Sequence, residues 1–178
     1  MKRSLAILTV ILLTMFTVSA QDKVALNKPI VSLSGTKGYI TINELTAGIG
    51  LGDVSVPYSK SFFGFTTIHG YQINESFVVG GGTGVSFYNG GTFIPVFADV
   101  RYRFLIKINT FTPYLFGDGG FLINTTGGMK MFINGGAGVR YTINNQIGIN
   151  FGTGLWIQYG DTRDSFVNFK LGVTFKPK

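Results

Sequence analysis

The chain has 178 residues and no cysteine, which excludes a disulfide framework and any thiolate metal site. Only 13% of residues are charged, against about 25% in an ordinary soluble domain, while 15% are aromatic and 26 are glycine. The formal net charge is +7, but the basic residues form no run, so nucleic-acid binding has no support.

The first segment reads MKRSLAILTVILLTMFTVSA. Lys2 and Arg3 precede an apolar run from Leu5 to Val18, and Val18-Ser19-Ala20 is a small-residue cleavage site. This pattern predicts a signal peptide over 1–20, cleaved after Ala20, because the apolar run is short for a membrane anchor. Removing Lys2 and Arg3 leaves 13 basic and 8 acidic residues, a net charge of +5. Residues 21–36 are polar and mixed and read as a periplasmic lead-in. Beyond residue 20 no run of about 18 apolar residues occurs, so no spanning helix is predicted. The mean hydropathy is nevertheless +0.31.

From residue 37 onward the hydrophobic pattern alternates with period two, which predicts strands. Residues 39–51 place Tyr39, Leu45, Ala47, Ile49 and Leu51 in one phase, and Ile40, Ile42, Glu44 and Gly48 in the other. Residues 62–73 set Phe63, Phe65, His69, Tyr71 and Ile73 against Gly64, Thr66, Gly70 and Gln72. The stretch FVVGGGTGVSFY at 77–88 invites a phosphate-loop reading. It has neither glycine fingerprint for phosphate, and Asn89-Gly90-Gly91 after it is a turn, not a helix start. It is therefore a strand with one face built small.

Residues 92–104 oppose Ile94, Val96, Val100 and Tyr102 to Phe93, Asp99, Arg101 and Arg103. Pro95 lacks a ladder donor there and predicts a bulge or a place near the outer end of the strand. Residues 111–123 form a weaker strand containing Asp118. Residues 129–143, 147–159 and 166–175 complete the set, with Lys130 and Arg140, then Trp156, then Lys170 opposite the apolar phase. Eight strands with turns at 74–76, 89–91, 124–128, 144–146 and 160–164 predict one all-β domain over 37–178.

In six strands the apolar phase is almost free of charge, and the other phase holds glycines and nearly every strand charge. A soluble barrel is apolar inside, and a membrane barrel is the reverse. The small, glycine-rich phase suits the narrow interior of an eight-stranded barrel. Tyr71, Phe77, Tyr102, Tyr141 and Phe175 would mark one membrane rim, and Phe63, Phe87 and Tyr159 the other. The fold expected is a single eight-stranded antiparallel up-and-down transmembrane β-barrel.

With the signal peptide, the alternating segments and the final NFKLGVTF in place, the chain resembles the small outer-membrane β-barrel proteins of Gram-negative bacteria, the OmpA-like and OmpX-like type. INELTAGIGLGD, VPYSKSFFG, GTGVSFYNGGTFIP, FGDGG, GVRYTI and DSFVNFKLGVTF are similar to the Bacteroidota outer-membrane β-barrel domain. The resemblance implies an outer-membrane location, both termini in the periplasm and a monomer. The connections at 52–61, 89–92, 124–128 and 160–165 would face outward. It also implies a C-terminal signal for the barrel assembly machinery, matched by Lys170, Gly172 and Phe175, although the chain ends on Lys176-Pro177-Lys178 and not on an aromatic.

Glu44, Asp99, Arg101, Asp118, Lys130, Arg140 and Lys170 share the inward phase. Three acids and four bases in a narrow tube must pair, because an isolated buried charge costs several kcal/mol. Glu44 has Arg101, Arg140 and other bases within choice. The cluster reads as a structural hydrogen-bonded plug in preference to an ion path. His69, the lone histidine, falls on the lipid phase with no acid on its face, and reads as a polar anchor. Asp53, Lys60, Asp161, Arg163 and Asp164 read as solvated loop charges that could meet lipopolysaccharide phosphates. No cofactor and no metal is implied. The functional reading is a non-enzymatic structural, envelope-integrity or surface-interaction role in outer-membrane lipid, and the short outward loops argue against a large adhesin. The alternatives are a lipid-A-modifying enzyme, a small ion pore and, from a different class, a soluble ligand-binding barrel.

Overall fold

The computed structural model describes residues 37–51, 60–105, 110–144, 146–160 and 163–177. The expected signal peptide and lead-in lie outside the described residues. Eight strands follow one another: β1 (Gly38–Gly50), β2 (Ser61–Gln72), β3 (Phe77–Tyr88), β4 (Gly91–Arg103), β5 (Phe111–Asn124), β6 (Met129–Thr142), β7 (Ile147–Tyr159) and β8 (Arg163–Phe175). Each pairs antiparallel with the next, and β1 pairs with β8, so the sheet closes into a barrel. Closure leaves no unpaired edge, the condition for a sheet to stand in lipid.

Register and alternation agree throughout. Leu45 lies opposite both Phe65 and Leu171, and all three point outward, 43%, 43% and 52% exposed. Their chain neighbours Glu44, Thr66 and Lys170 are buried inside. The outer surface is a belt of Leu, Ile, Val and Phe, with Tyr71, Tyr102, Tyr141 and Phe175 at the end that carries both chain termini. Phe63, Phe87 and Tyr159 are exposed at the opposite, distal end.

The glycines of β3 are there for close approach. A side chain on Gly84 would strike the Phe65 carbonyl and sit 2.7 Å from the Thr66 Cα. One on Gly80 would come within 2.8 Å of the Gly70 Cα. Gly82 leaves room for the Phe97 ring, which reaches it from β4. The wall is thinned where β2 and β3 approach closely and where the Phe97 ring must fit inside.

Of the two places expected for Pro95, the structure takes the second: the β3–β4 pairs Thr83↔Val96 and Ser86↔Phe93 keep one register across it, with no bulge, and it sits near the distal turn as the fifth residue of β4. One expectation needs correction: β8 begins at Arg163, so the turn read up to Asp164 ends earlier. The alternation of β8 continues back through Phe166 to Asp164, which turns that residue inward.

Candidate functional site

The interior is the one place where the described residues gather polar chemistry, and it is layered along the barrel axis. The central layer is built on Arg101 of β4. Its Nη1 donates to Glu44 Oε1 at 2.8 Å and its Nη2 to Glu44 Oε2 at 3.1 Å, a bidentate pair reaching from β4 to β1. Its Nε and Nη2 also donate to Asp99 Oδ1 and Oδ2 at 3.0 and 2.9 Å. The rigid guanidinium fork can serve two carboxylates at once. Lys170 of β8 donates to Asp118 Oδ2 and lies 3.5 Å from Glu44 Oε2, with its Nζ 4.4 Å from the Phe116 ring centre. Asn134 donates to Asp118 Oδ2 at 2.7 Å, and Asn168 to Asn134 Oδ1 at 2.9 Å. Every charged member of this layer is 6% exposed or less.

The distal layer is aromatic. Phe132 and Trp156 stack at 4.2 Å with planes 8° apart, and Phe62 meets Tyr88, Trp156 and Phe166 at 5.0 to 5.3 Å. Phe93 closes on Tyr88 at 5.2 Å. Above the rings Gln158 donates to the Tyr88 hydroxyl, and Lys130 meets Asp164 at 3.4 Å. The layer at the terminal end holds Arg140, whose Nε donates to Asn150 Oδ1 at 2.8 Å and Nη2 to Thr174 Oγ1 at 3.1 Å. Arg103 and Lys176 share that end.

The seven charges expected inside therefore do not form one cluster. Glu44, Asp99, Arg101, Asp118 and Lys170 make the central network. Lys130 stands at the distal end and Arg140 near the terminal end. Glu44 takes Arg101 and Lys170 as partners, not Arg140. Of the residues expected to signal assembly, Lys170 and Gly172 face inward and Phe175 faces out.

Three features escaped the sequence reading. Asp164 is buried and paired, not a solvated loop charge. Arg103, phased inward but left out of the expected charge cluster, and Lys176 are buried beside the terminal mouth. The inward face is not only glycine and charge, because six large rings seal its distal third. The alternation itself carried that signal, since Phe62, Phe93, Phe132, Trp156 and Phe166 all fall on the glycine phase.

His69 stands on the outer surface, where its Nδ1 meets the Tyr39 hydroxyl across the β1–β2 pair. Lys60 and Arg163 are exposed, and Arg163 lies over the Tyr159 ring at 5.8 Å. Asp53 and Asp161 lie outside the described residues.

No protein-family model and no curated protein sequence matches the chain. Among solved structures it is similar to Neisserial surface protein A, with a TM-score of 0.61 at 14% identity over 80% of this chain and 99% of that one. It is also similar to the outer membrane protein OprG from Pseudomonas aeruginosa, with a TM-score of 0.54 at 10% identity over 84% of this chain and 99% of that one. At such identities the likeness is one of architecture. The chain has the fold of the small eight-stranded outer-membrane β-barrels.

Proposed function

We propose that the protein is an integral outer-membrane barrel with a non-enzymatic structural role in the envelope, inserted as a monomer with both termini in the periplasm. One observation carries this reading: the inside–outside pattern is inverted relative to a soluble barrel. Leu171, Phe151 and Ile133 are 50% exposed or more in mid-strand, while Glu44, Asp99, Arg101 and Lys170 are buried. Such a belt is stable against acyl chains and costly in water.

The rim aromatics support seating at both membrane boundaries. Exposed Lys60 and Arg163 at the distal end suit the phosphates of lipopolysaccharide. Lys170, Gly172 and Phe175 serve as the signal for the assembly machinery. The partner of His69 is a phenol, and among the described residues neither a serine nor a carboxylate bonds to it, which disfavours lipid hydrolysis.

The test is heat modifiability. The mature chain, refolded in detergent, is run on a denaturing gel with and without boiling. A faster unboiled band, with the native protein recovered in the outer-membrane fraction, is the expected result. A chain that stays soluble without detergent and shows no mobility shift would overturn the proposal and make the interior a ligand chamber.

A further inference from the structure

At the terminal end two buried arginines make no ion pair among the described residues. Arg103, the last residue of β4, and Arg140 of β6 are 3% and 4% exposed. Arg140 spends its Nε and Nη2 on neutral Asn150 and Thr174. Arg103 has less: its Nε and Nη2 are buried with no hydrogen-bond partner. The Tyr114 hydroxyl is a third orphan, but although Tyr114 pairs with Arg103 in the β4–β5 ladder its hydroxyl lies against Gly138 and Gly152 of the β6–β7 wall. Lys176 adds a further positive charge at this mouth, with its Nζ donating to Gln72 Oε1 at 3.2 Å. The carboxylate that acts on Arg103 is Glu75 of the turn after β2, but the two make no ion pair.

The contrast with the central layer is instructive. There each cation meets a carboxylate within 3.0 Å. A buried guanidinium with no counter-charge costs several kcal/mol, so a stable barrel must bring one in. The missing group has to be negative, planar or tetrahedral in oxygen, and small enough for the mouth of an eight-stranded tube. The guanidinium edge formed by Nε and Nη2 is the edge that grips two oxygens of one oxyanion.

We propose that the terminal mouth of the barrel interior is a binding site for an oxyanion of the phosphate or sulfate class, gripped by Arg103 Nε and Nη2, with Arg140 and Lys176 supplying positive field. The same chemistry is offered by free phosphate and by the headgroup of a phospholipid packed at the adjacent rim.

The experiment uses the mature chain refolded in maltoside micelles in a chloride buffer. Inorganic phosphate is titrated at constant ionic strength, with calorimetry and the midpoint of heat modifiability as readouts. Saturable heat and a rising midpoint are expected. Arg103→Gln should bind roughly tenfold more weakly or worse, the loss expected for charged hydrogen bonds. Lys130→Gln, at the opposite end, should bind as the parent does. If phosphate has no effect but nanodiscs of phosphatidylglycerol raise the midpoint of the parent and not of Arg103→Gln, the site stands with a headgroup as its source. No response to either anion, or an equal response in Arg103→Gln, overturns the proposal. Should Arg103→Gln fail to refold, calorimetry on the parent decides: absence of saturable heat and of a nanodisc effect refutes the site.

Discussion

Arg101 holds two carboxylates by itself, so its loss is felt twice. Arg101→Ala leaves Glu44 and Asp99 buried without their fork, with Lys170 3.5 Å from Glu44 as the remaining cation. Breaking a buried pair in this way costs about 3–5 kcal/mol. Urea unfolding in detergent should register that loss, and a parent-like midpoint would contradict the network. A glycine pair tests the wall. Gly84→Ala forces a methyl onto the Phe65 carbonyl and should cost about 1–3 kcal/mol. Gly135→Ala meets no atom within 4 Å and should change stability by no more than about 0.5 kcal/mol. At this scale the sequence was partly legible. Phase alone put Glu44 and Arg101 in one tube, but phase carries no axial coordinate. That is why Lys130, Arg101 and Arg140 read as one group although they occupy three levels. Lys176 was missed because it continues the inward phase of β8 past the last ladder pair, Thr41↔Phe175.

At the scale of the strand, alternation was the dominant signal, and it held even in β5, where Pro113 and Gly117 weaken it. Tyr114, Phe116 and Asp118 still alternate inward. The start of β8 was illegible because Gly160, Asp161 and Asp164 are turn-forming residues. Residue preference says nothing about Asp164 finding Lys130 across the lumen. Charge on the outer face should cost more at mid-strand than beside the rim. Leu171→Arg puts a guanidinium in the middle of the lipid-facing belt and should cost about 2–4 kcal/mol. Ile49→Arg, beside the distal rim, should cost about 0–1 kcal/mol. Folding equilibria in lipid vesicles measure both, and equal costs would argue that the belt does not face lipid.

For the whole molecule, the layers act in series. An ion entering from the distal end meets stacked rings first and a salt-bridged network next. Planar bilayer recordings of the parent should therefore show no conductance steps. The double variant Phe132→Ala/Trp156→Ala opens the aromatic layer yet leaves Arg101, Glu44 and Lys170 in place, so it too should stay silent. Sustained steps in the parent would favour a pore and sink the plug reading. The aromatic seal was only partly legible: alternation set Phe62, Phe93, Phe132, Trp156 and Phe166 on the inward phase, but carried nothing about their rings meeting in one layer.

The β1–β8 seam has a consequence in time. Seven of the eight ladders join neighbours in the chain and can form as hairpins. The seam joins residues 116 apart at one limit, Gly50 to Phe166, and 134 apart at the other, Thr41 to Phe175. Loop closure over such a distance is slow, and it cannot begin until the last strand has been made. Until then β1 and β8 are two bare edges, each a template for the wrong strand. The hazard for this chain is thus kinetic. A catalyst that shields the edge of β1 and delivers β8 to it would do more for the yield of folded protein than any added contact in the finished barrel.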